Sequence, residues 1–484
     1  MTFVSELDPQ ILWRHFDRIL TIPRGSGNEG GMRAFVREVG EKRGLEVRGD
    51  ATGNLVIAIP ASPGREQAPV VVLQAHLDMV NEKNRDTQHD FDRDPIQPVR
   101  AGEFLRANGT TLGSDNGIGV ASMLALTEES GLAHGPLELL FTIDEERGLT
   151  GAKNFDPALI RGRMLINLDS EEEGVLTVGC AGGADSRLRL PLEMTSVAPG
   201  SGALEITVLG LKGGHSGVDI HLQRGNAIKI LARSLHAASR ETPLRLAALA
   251  GGDKTNAIPR EVRATLVAPA SELAKVEARL EHELRAVAAE IAVADPGLSW
   301  TFAAVPCPSA AWSEESSRRA LQLLEALPHG VQVMSYDLPD LVETSTNLAS
   351  VAVQGAELAI ALSNRSSVAS ALLALRQKVR AAAGLAGASV AEGDGYPGWK
   401  PDLSSHLLEV MKRTHEQVLG FAPKVGAIHA GLECGLIGER IPGMDMISFG
   451  PTIQFPHSPD ERVEIATVPR FYHLLKATLT ELAG

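Results

Sequence analysis

The positions of the apolar residues divide the first part of the chain into buried strands and helices. Three of the four segments NLVIAIP, APVVVLQAHLD, GPLELLFTID and RGRMLINLD are almost continuously apolar, as strands covered on both faces are. An amphipathic helix opens the chain, a second is predicted over residues 31–44, and a buried helix is predicted just after Asp115. This alternation predicts an α/β domain with a central mixed, mostly parallel sheet flanked by helices.

The pattern changes near residue 185. ALEITVLGLKG and EVRATLVAP alternate polar and apolar residues, and SELAKVEARLEHELRAVAAEIA is a strongly charged helix. A second, weaker set of similar units ends in VASALLALRQKVRAAAG, and the first pattern returns past Glu392. We therefore predict a discontinuous domain over residues 1–184 and 388–484, with an inserted α+β lid domain over residues 185–387 made of two related halves.

Composition and net charge narrow the possible binding partners and the cellular compartment of the protein. The 484 residues, 44% of them hydrophobic, are enough for two domains. The net charge of −14 argues against nucleic acid or an anionic membrane as an obligatory partner. Cys180, Cys307 and Cys434 lie far apart, and the amphipathic N-terminus has no long apolar core. We expect a cytoplasmic protein without disulfides.

Side chains that can bind metal ions follow the predicted strands. His76 and Asp78 end one apolar strand, Glu145 and Glu146 follow another, and Asp169 ends a third. Because ligands gather at the carboxyl ends of strands in open α/β sheets, we expect these side chains to converge on one rim.

Two further residues extend this set, since Asp115 precedes the buried helix and His457 follows the last strand. Taken singly, a histidine at a strand end is more often structural, an aspartate before a helix is most often an N-cap, and adjacent glutamates usually form a solvated corner. Their shared position at the ends of strands favours a metal site over these structural roles. Histidines and carboxylates without thiolates suit zinc or a similar ion, and two ions about 3.5 to 4 Å apart could clamp one water for hydrolysis.

Nine ordered segments carry a resemblance to a known family. These segments are LQAHLDMVNEKN, GTTLGSDNGIGVA, FTIDEERGLTGA, LINLDSEEEG, GLKGGHSGVDIH, GGDKTNAIPRE, GYPGWKP, IHAGLECG and SFGPTIQFPHSPDERV. Over nearly its full length the chain resembles the aminoacyl-histidine dipeptidases of the di-zinc aminoacylase and carboxypeptidase superfamily. The resemblance implies a zinc-peptidase-like catalytic domain with two Zn²⁺ per subunit, for which Co²⁺ or Mn²⁺ could substitute, and hydrolysis of unblocked dipeptides, including β-alanyl-histidine.

The resemblance also implies which residues bind the metal ions. Asp115 would bridge both ions, one ion would take His76 and Asp169, and the other would take Glu146 and His457.

Three catalytic residues follow from the same resemblance. Glu145 would act as the general base toward the bridging water, and Asp78 would orient the imidazole of His76. His215, in GGHSGVD, would donate to the oxygen on which negative charge develops. Whether His215 acts within its own subunit or across a dimer is left open, and a homodimer is a hypothesis.

Four residues are candidates for substrate binding. Asn256 and Arg365 resemble positions that hold the free carboxylate, although a surface position would be the default for the arginine. Gly431 would leave room for backbone contact with the peptide substrate, and Glu433 would contact the substrate ammonium group. We expect Glu171–Glu173 to be a solvated face.

Two other functions compete with the dipeptidase. A deacylase of N-acyl amino acids or a carboxypeptidase could use the same ions, and only the contacts to the ends of the substrate would differ. A metal-binding scaffold without turnover is a remote alternative, since it would be expected to lose Glu145 or Asp78 first, and both are present.

Overall fold

The fold is that of a computed structural model, in which residues 2–484 are described. The helices are α1 Gln10–Ile19, α2 Gly30–Lys42, α3 Ser114–Leu126, α4 Glu145–Gly148, α5 Thr150–Lys153, α6 Ala227–Ser239, α7 Leu273–Ile291, α8 Glu314–Ala326, α9 Ala369–Ala386, α10 His406–Leu419, α11 Glu433–Arg440 and α12 Thr467–Leu482. Short 3₁₀ helices cover Phe3–Glu6, Pro157–Leu159, Ile220–Leu222 and Ala270–Glu272.

The strands in chain order are β1 Glu46–Gly49, β2 Leu55–Ile59, β3 Val71–His76, β4 Pro98–Ala101, β5 Phe104–Ala107, β6 Leu137–Thr142, β7 Met164–Asn167, β8 Val175–Cys180, β9 Gly182–Pro191, β10 Met194–Ser196, β11 Ser201–Leu209, β12 Arg245–Gly251, β13 Val262–Pro269, β14 Ser299–Val305, β15 Ala310–Trp312, β16 Gly330–Met334, β17 Val342–Gln354, β18 Glu357–Ser366, β19 Ser389–Glu392, β20 Lys424–Ile428, β21 Asp445–Ser448, β22 Ile453–Gln454 and β23 Arg462–Glu464. The strands and helices predicted from the apolar pattern are among these elements.

The chain forms two compact units. Unit 1 comprises Met1–Cys180, Trp399–Ala427 and Leu432–Gly484, and unit 2 comprises Ala181–Gly398 and Ile428–Gly431. The return to unit 1 therefore comes after Gly398, later than the predicted boundary at residue 387. The physical reason is that β19 pairs antiparallel with β9, which keeps the chain in the sheet of unit 2.

Unit 1 is organised around an eight-stranded sheet in the order β1-β2-β6-β3-β7-β21-β8-β20. The four central strands, β6, β3, β7 and β21, are mutually parallel, and antiparallel pairs flank them. Every residue of β3 and β6 is buried, as their apolar runs predict. Helix α3 is buried along almost its whole length, although Asp115 and Asn116 near its start have non-helical φ and ψ.

A smaller sheet in unit 1 presents the loop that contains His457. Its order is β22-β23-β5-β4, and β22 and β23 pair antiparallel with Ile453 opposite Val463. Residues 455–461 connect these two strands. Phe455 and His457 both have a positive φ, 55° and 59°, so this loop adopts a backbone that non-glycine residues rarely use.

Unit 2 is an α+β unit with one large antiparallel sheet. The order is β14-β11-β13-β12-β17-β18-β9-β19, with β16 paired to β17. Apolar faces of α6, α7, α8 and α9 join one core with the sheet, in which residues such as Leu231, Leu280 and Leu348 are fully buried. Among residues 2–484, no helix combines the length and apolarity needed to cross a membrane.

Candidate metal centre and a second polar cluster

Strand register brings the predicted side chains of unit 1 to one rim. Parallel pairing sets His76 beside Thr142, at the end of β6, and sets Gln74 beside Asn167, at the end of β7. The chain then leaves β6 for α4, which begins at Glu145, and leaves β7 for Asp169. The carboxyl ends of neighbouring parallel strands therefore supply the site, as expected for an open α/β sheet.

Asp115 lies between two histidine–carboxylate pairs. Its Oδ1 is 3.0 Å from His76 Nε2, which is also 3.2 Å from Asp169 Oδ1. Its Oδ2 is 3.1 Å from His457 Nε2, which is also 3.0 Å from Glu146 Oε2. One carboxylate thus serves both pairs with separate oxygens, which is the arrangement a bridging ligand needs.

The donor set fits divalent metal ions. Two groups, His76 with Asp115 and Asp169, and Asp115 with Glu146 and His457, each bring their ligand atoms within 4.8 Å of one another. Glu146 Oε1 is buried without a hydrogen-bond partner in residues 2–484, so this carboxylate is not satisfied by the protein alone. Nitrogen and carboxylate oxygen donors without thiolates suit zinc, cobalt or manganese. We call His76, Asp115, Glu145, Glu146, Asp169 and His457 the acidic cluster.

Asp78 holds the corner that carries the two glutamates. Its carboxylate accepts hydrogen bonds from the backbone N–H groups of Glu145 at 3.0 Å and Glu146 at 3.2 Å, and from Ser26 Oγ at 2.7 Å. Its Oδ1 also lies 3.4 Å from His76 Nδ1, a contact too long for a strong hydrogen bond. Asp78 therefore fixes the glutamate pair, and its orienting role toward the imidazole of His76 stays a prediction.

Crowded negative charge changes the acidity of the cluster. Burial raises the pKa of Glu145 well above its usual value, although the positive charge of His76 opposes the shift. Burial likewise raises the pKa of Asp169 to about 6. Hydrogen bonds to Asp115 and Glu146 raise the pKa of His457 to about 11. Burial thus dominates the shifts of the two carboxyl groups and hydrogen bonds dominate that of His457, and bound cations would offset the excess negative charge of the cluster.

Glu433 lies below the strand ends, inside the protein. It is fully buried, and its Oε2 accepts hydrogen bonds from Gln74 Nε2 and Thr142 Oγ1, both at 2.6 Å. Gln74 Oε1 accepts a further bond from Asn167 Nδ2 at 2.6 Å. Burial raises the pKa of Glu433 to about 7. Its Oε1 is buried without a hydrogen-bond partner in residues 2–484, and contact with a substrate ammonium group stays a prediction.

Unit 2 holds His215 in a defined tautomer. His215 Nδ1 accepts from the backbone N–H groups of Gly217 at 3.2 Å and Val218 at 3.1 Å. Because an imidazole nitrogen that accepts carries no proton, the proton of the neutral ring lies on Nε2. Burial, and then the charge of Arg365, lower the pKa of His215. His215 is therefore a neutral donor through Nε2.

Arg365 and Asn256 line one cavity of about 600 Å³ in unit 2, together with Tyr396. Arg365 is buried, and its Nη1 donates to the Tyr396 hydroxyl at 3.1 Å, while its Nε is buried without a hydrogen-bond partner in residues 2–484. Gly431 lies against the Tyr396 ring, where an added Cβ would come within 2.8 Å. The unsatisfied guanidinium makes this cavity suited to an anionic group.

His429, which lies in the segment IHAGLECG and outside the predicted metal set, is a neighbour of Arg365. Its Nε2 lies 2.7 Å from Ser345 Oγ, and its Nδ1 is buried without a hydrogen-bond partner in the described chain. Burial, followed by the charge of Arg365, lowers the pKa of His429 to about 3. We call His215, Asn256, Arg365, Tyr396 and His429 the unit 2 cluster.

Sequence analysis missed two buried ions in unit 1, Arg24 and Glu461. Glu461 lies within the quoted segment SFGPTIQFPHSPDERV, but no local pattern shows what it contacts. The expectation for Glu171–Glu173 holds only in part. Glu173 forms a bidentate pair with Arg470, whereas burial raises the pKa of Glu171 to about 8 beside the acidic cluster.

Comparison with known proteins identifies the family. The model of "Peptidase family M20/M25/M40" matches residues 72–481. The chain is 40% identical over 482 residues to the cytosol non-specific dipeptidase of Escherichia coli, covering 100% of this chain and 99% of that protein. The crystal structure of an aminoacylhistidine dipeptidase from Vibrio alginolyticus superposes with a TM-score of 0.94 at 41% identity, covering 99% and 98% of the two chains. The aminopeptidase PepT of Bacillus cereus, at 18% identity and a TM-score of 0.58 over 99% and 100% of the chains, shares the fold. The chain belongs to peptidase family M20/M25/M40.

Proposed function

We propose that this protein is a metallo-dipeptidase that hydrolyses unblocked dipeptides, including Xaa-His peptides. The relatives from Escherichia coli and Vibrio alginolyticus are named as dipeptidases, and each aligns with this chain over nearly its whole length. The single observation that carries the metal-dependent part is the position of Asp115, whose two oxygens face separate histidine–carboxylate pairs.

Two divalent ions, with zinc as the preferred metal, would be held by the acidic cluster. His76 and Asp169 would hold one ion, Glu146 and His457 the other, and Asp115 both. When bound, such ions polarise a carbonyl and lower the pKa of water. Cobalt and manganese accept the same donors, so the ligand set allows them to replace zinc.

Glu145 would be the general base. It shares a corner with Glu146, and both backbone N–H groups donate to Asp78, so one fixed turn carries both side chains beside His76. Burial raises the pKa of Glu145, which suits a group that takes a proton from water and later returns it to the leaving amine.

The unit 2 cluster would recognise the rest of the substrate. The Nε2–H of His215 is suited to stabilise the oxygen on which charge develops, because its proton is fixed there by two backbone donors at Nδ1. Arg365 and Asn256 would bind the free carboxylate of the dipeptide. Such a carboxylate requirement distinguishes a dipeptidase from an enzyme that acts within longer chains.

We further propose a cytoplasmic setting and small peptides as the only obligatory partners. The net charge of −14 disfavours nucleic acid and anionic lipid, and the relative from Escherichia coli is named as a cytosol enzyme. A homodimer stays a hypothesis.

The test is a substrate panel before and after zinc is returned to metal-free protein. β-Alanyl-histidine, alanyl-histidine, a second free dipeptide, the N-acetylated form of that dipeptide and an N-acetyl amino acid are compared under the same conditions. We expect zinc to restore cleavage of the free dipeptides alone. Cleavage confined to the acetylated compounds would replace the proposal with a deacylase, and no cleavage of any compound would favour the non-catalytic scaffold.

A further inference from the structure

Glu461 is a buried carboxylate whose oxygens are both fully engaged by one distant loop. Its Oε2 accepts from the backbone N–H groups of Leu112 at 2.8 Å and Gly113 at 2.9 Å. Its Oε1 accepts from Ser114 N at 2.7 Å, Ser114 Oγ at 2.6 Å and, more weakly, Asp115 N at 3.4 Å. The residue is 2% exposed and lies nearly 350 positions from its partners. One side chain therefore binds the backbone N–H groups of the segment that leads into α3, in which Asp115 and Asn116 have non-helical φ and ψ.

The two segments that Glu461 joins each carry a proposed ligand. Asp115 lies in the segment that donates to Glu461, and His457 lies four residues before Glu461 in the loop between β22 and β23. Glu461 N donates to Ser458 O at 3.0 Å, which closes this loop on itself. His457 has a φ of 59°, a conformation that persists only where the surroundings fix it.

Arg24 fixes the same turn from the other side. It is buried, and its Nη1 donates to the carbonyl oxygens of Leu77 at 3.0 Å and Asp78 at 2.6 Å, while its Nη2 donates to Gly113 O. A Cβ at Gly113 would lie 2.4 Å from Arg24 Nη2, so this close approach requires glycine. Arg24 thus ties the Asp115 segment to the end of β3, whereas Glu461 ties it to the His457 loop.

We propose that Glu461 is a positioning residue that holds Asp115 and His457 in register, so that its negative charge is required for the ion bound by Asp115, Glu146 and His457. This inference rests on the proposed ligand set. The other ion would depend on it less, because His76 and Asp169 follow strands of the central sheet and Arg24 still aligns Asp115 with the end of β3. The two halves of the site are therefore unequally supported.

The test is metal retention by Glu461→Gln, with Glu464→Gln as the matched control. The first substitution keeps the side-chain volume but replaces one charged acceptor by an amide N–H₂ that faces backbone donors. Glu464 lies three residues further along the chain, at the end of β23, and is half-buried; it pairs with Phe104, and its backbone N–H donates to Thr452 O. Each purified zinc-loaded protein is dialysed against graded chelator, metal content is measured by atomic absorption, and the visible spectrum of the cobalt-loaded form is recorded.

Glu461→Gln is expected to release one ion at a chelator concentration roughly 10- to 100-fold lower than the wild type, in the range found when a residue that orients a metal ligand is replaced, while the other ion stays. The cobalt spectrum should lose the contribution of one site. Glu464→Gln should match the wild type. Ser114→Ala, which removes a single donor from Oε1, should shift the same ion in the same direction by a smaller factor, and it covers the case that Glu461→Gln does not fold.

Three results would overturn the inference. The Glu461→Gln variant could keep both ions at wild-type chelator concentrations, or it could fold and still lose both ions together, which would show that Glu461 does not support one ion selectively. A Ser114→Ala variant that shifts neither ion would count equally against it. A wild-type protein that never binds a pair of ions would instead overturn the proposed metal centre, and this inference with it.

Discussion

The acidic cluster of unit 1 and the unit 2 cluster carry opposite charges. Different kinds of sheet position their side chains. In unit 1, parallel strands end together and deliver carboxylates around His76 and His457. In unit 2, antiparallel β18 supplies the buried Arg365, and the nearby histidines have lowered pKa values. One cluster thus carries negative charge that needs cations, and the other carries a guanidinium that needs an anion. If the proposed roles of the two clusters are correct, substitutions in one cluster should disrupt metal binding and substitutions in the other should disrupt binding of the substrate carboxylate.

The largest effect is expected from Asp115→Asn. The substitution removes the charge that both histidine–carboxylate pairs share, so neither ion should be retained and turnover should fall below detection. Metal content by atomic absorption and dipeptide hydrolysis measure the two effects. Asp460→Asn, an exposed change near His457, is the control and should keep both properties. Full metal content in the Asp115→Asn variant would show that Asp115 is not a bridging ligand.

Glu145→Gln should separate catalysis from metal binding within the acidic cluster. Loss of a general base lowers kcat by about 10³-fold, while metal content should stay at the wild-type level because Glu145 is not a proposed ligand. Glu172→Gln, an exposed change in the neighbouring loop, should leave kcat unchanged. Metal loss in Glu145→Gln would show that the roles of Glu145 and Glu146 are interchanged.

Arg365→Met should affect the unit 2 cluster alone. Loss of charge-assisted hydrogen bonds worth about 1.5 to 3 kcal/mol predicts a KM for free dipeptides that rises roughly 10- to 100-fold, with metal content unchanged. C-terminally amidated dipeptides should be affected much less. Arg187→Met is the matched control, since Arg187 is exposed and lines the same cavity. An equal rise in KM for both substrate classes would take Arg365 out of carboxylate recognition.

The smallest effect concerns stability at acid pH. The pKa of His429 is about 3 in the folded protein, whereas an unfolded histidine titrates near about 6.5. Between these values only the unfolded state takes up the proton, so stability falls as pH falls through this window, by about 2 kcal/mol between pH 6.5 and pH 4.5. Urea unfolding of His429→Gln should show this dependence reduced by that amount. His282→Gln, an exposed change on α7, should not alter it. An unchanged dependence in His429→Gln would exclude a buried neutral imidazole.

Sequence analysis predicted the buried strands β2, β3, β6 and β7 and several helices of both units because their burial follows the apolar pattern along the chain. It also brought His76, Asp115, Glu146, Asp169 and His457 together, since strand ends in a parallel sheet meet at one rim. These residues lie where a strand or helix begins or ends, which local sequence can show.

Features that depend on distant contacts could not be predicted. Glu461 acts on backbone groups nearly 350 residues away, and Arg24 contacts carbonyl oxygens of two separate loops. The later boundary of unit 2 depends on β19 pairing with β9 across some 200 residues. The hydrogen bonds of the buried Glu433 likewise involve Gln74 and Thr142, which lie on distant strands. No local pattern records such partners.

Zinc titration of the metal-free protein tests the two-ion centre most directly. Calorimetry gives the number of ions bound, and hydrolysis of alanyl-histidine is measured in samples from the same titration. We predict that two ions bind per chain and that turnover follows the occupancy of the second. Full turnover with a single ion bound, or the absence of zinc binding, would contradict a centre in which Asp115 joins two ions.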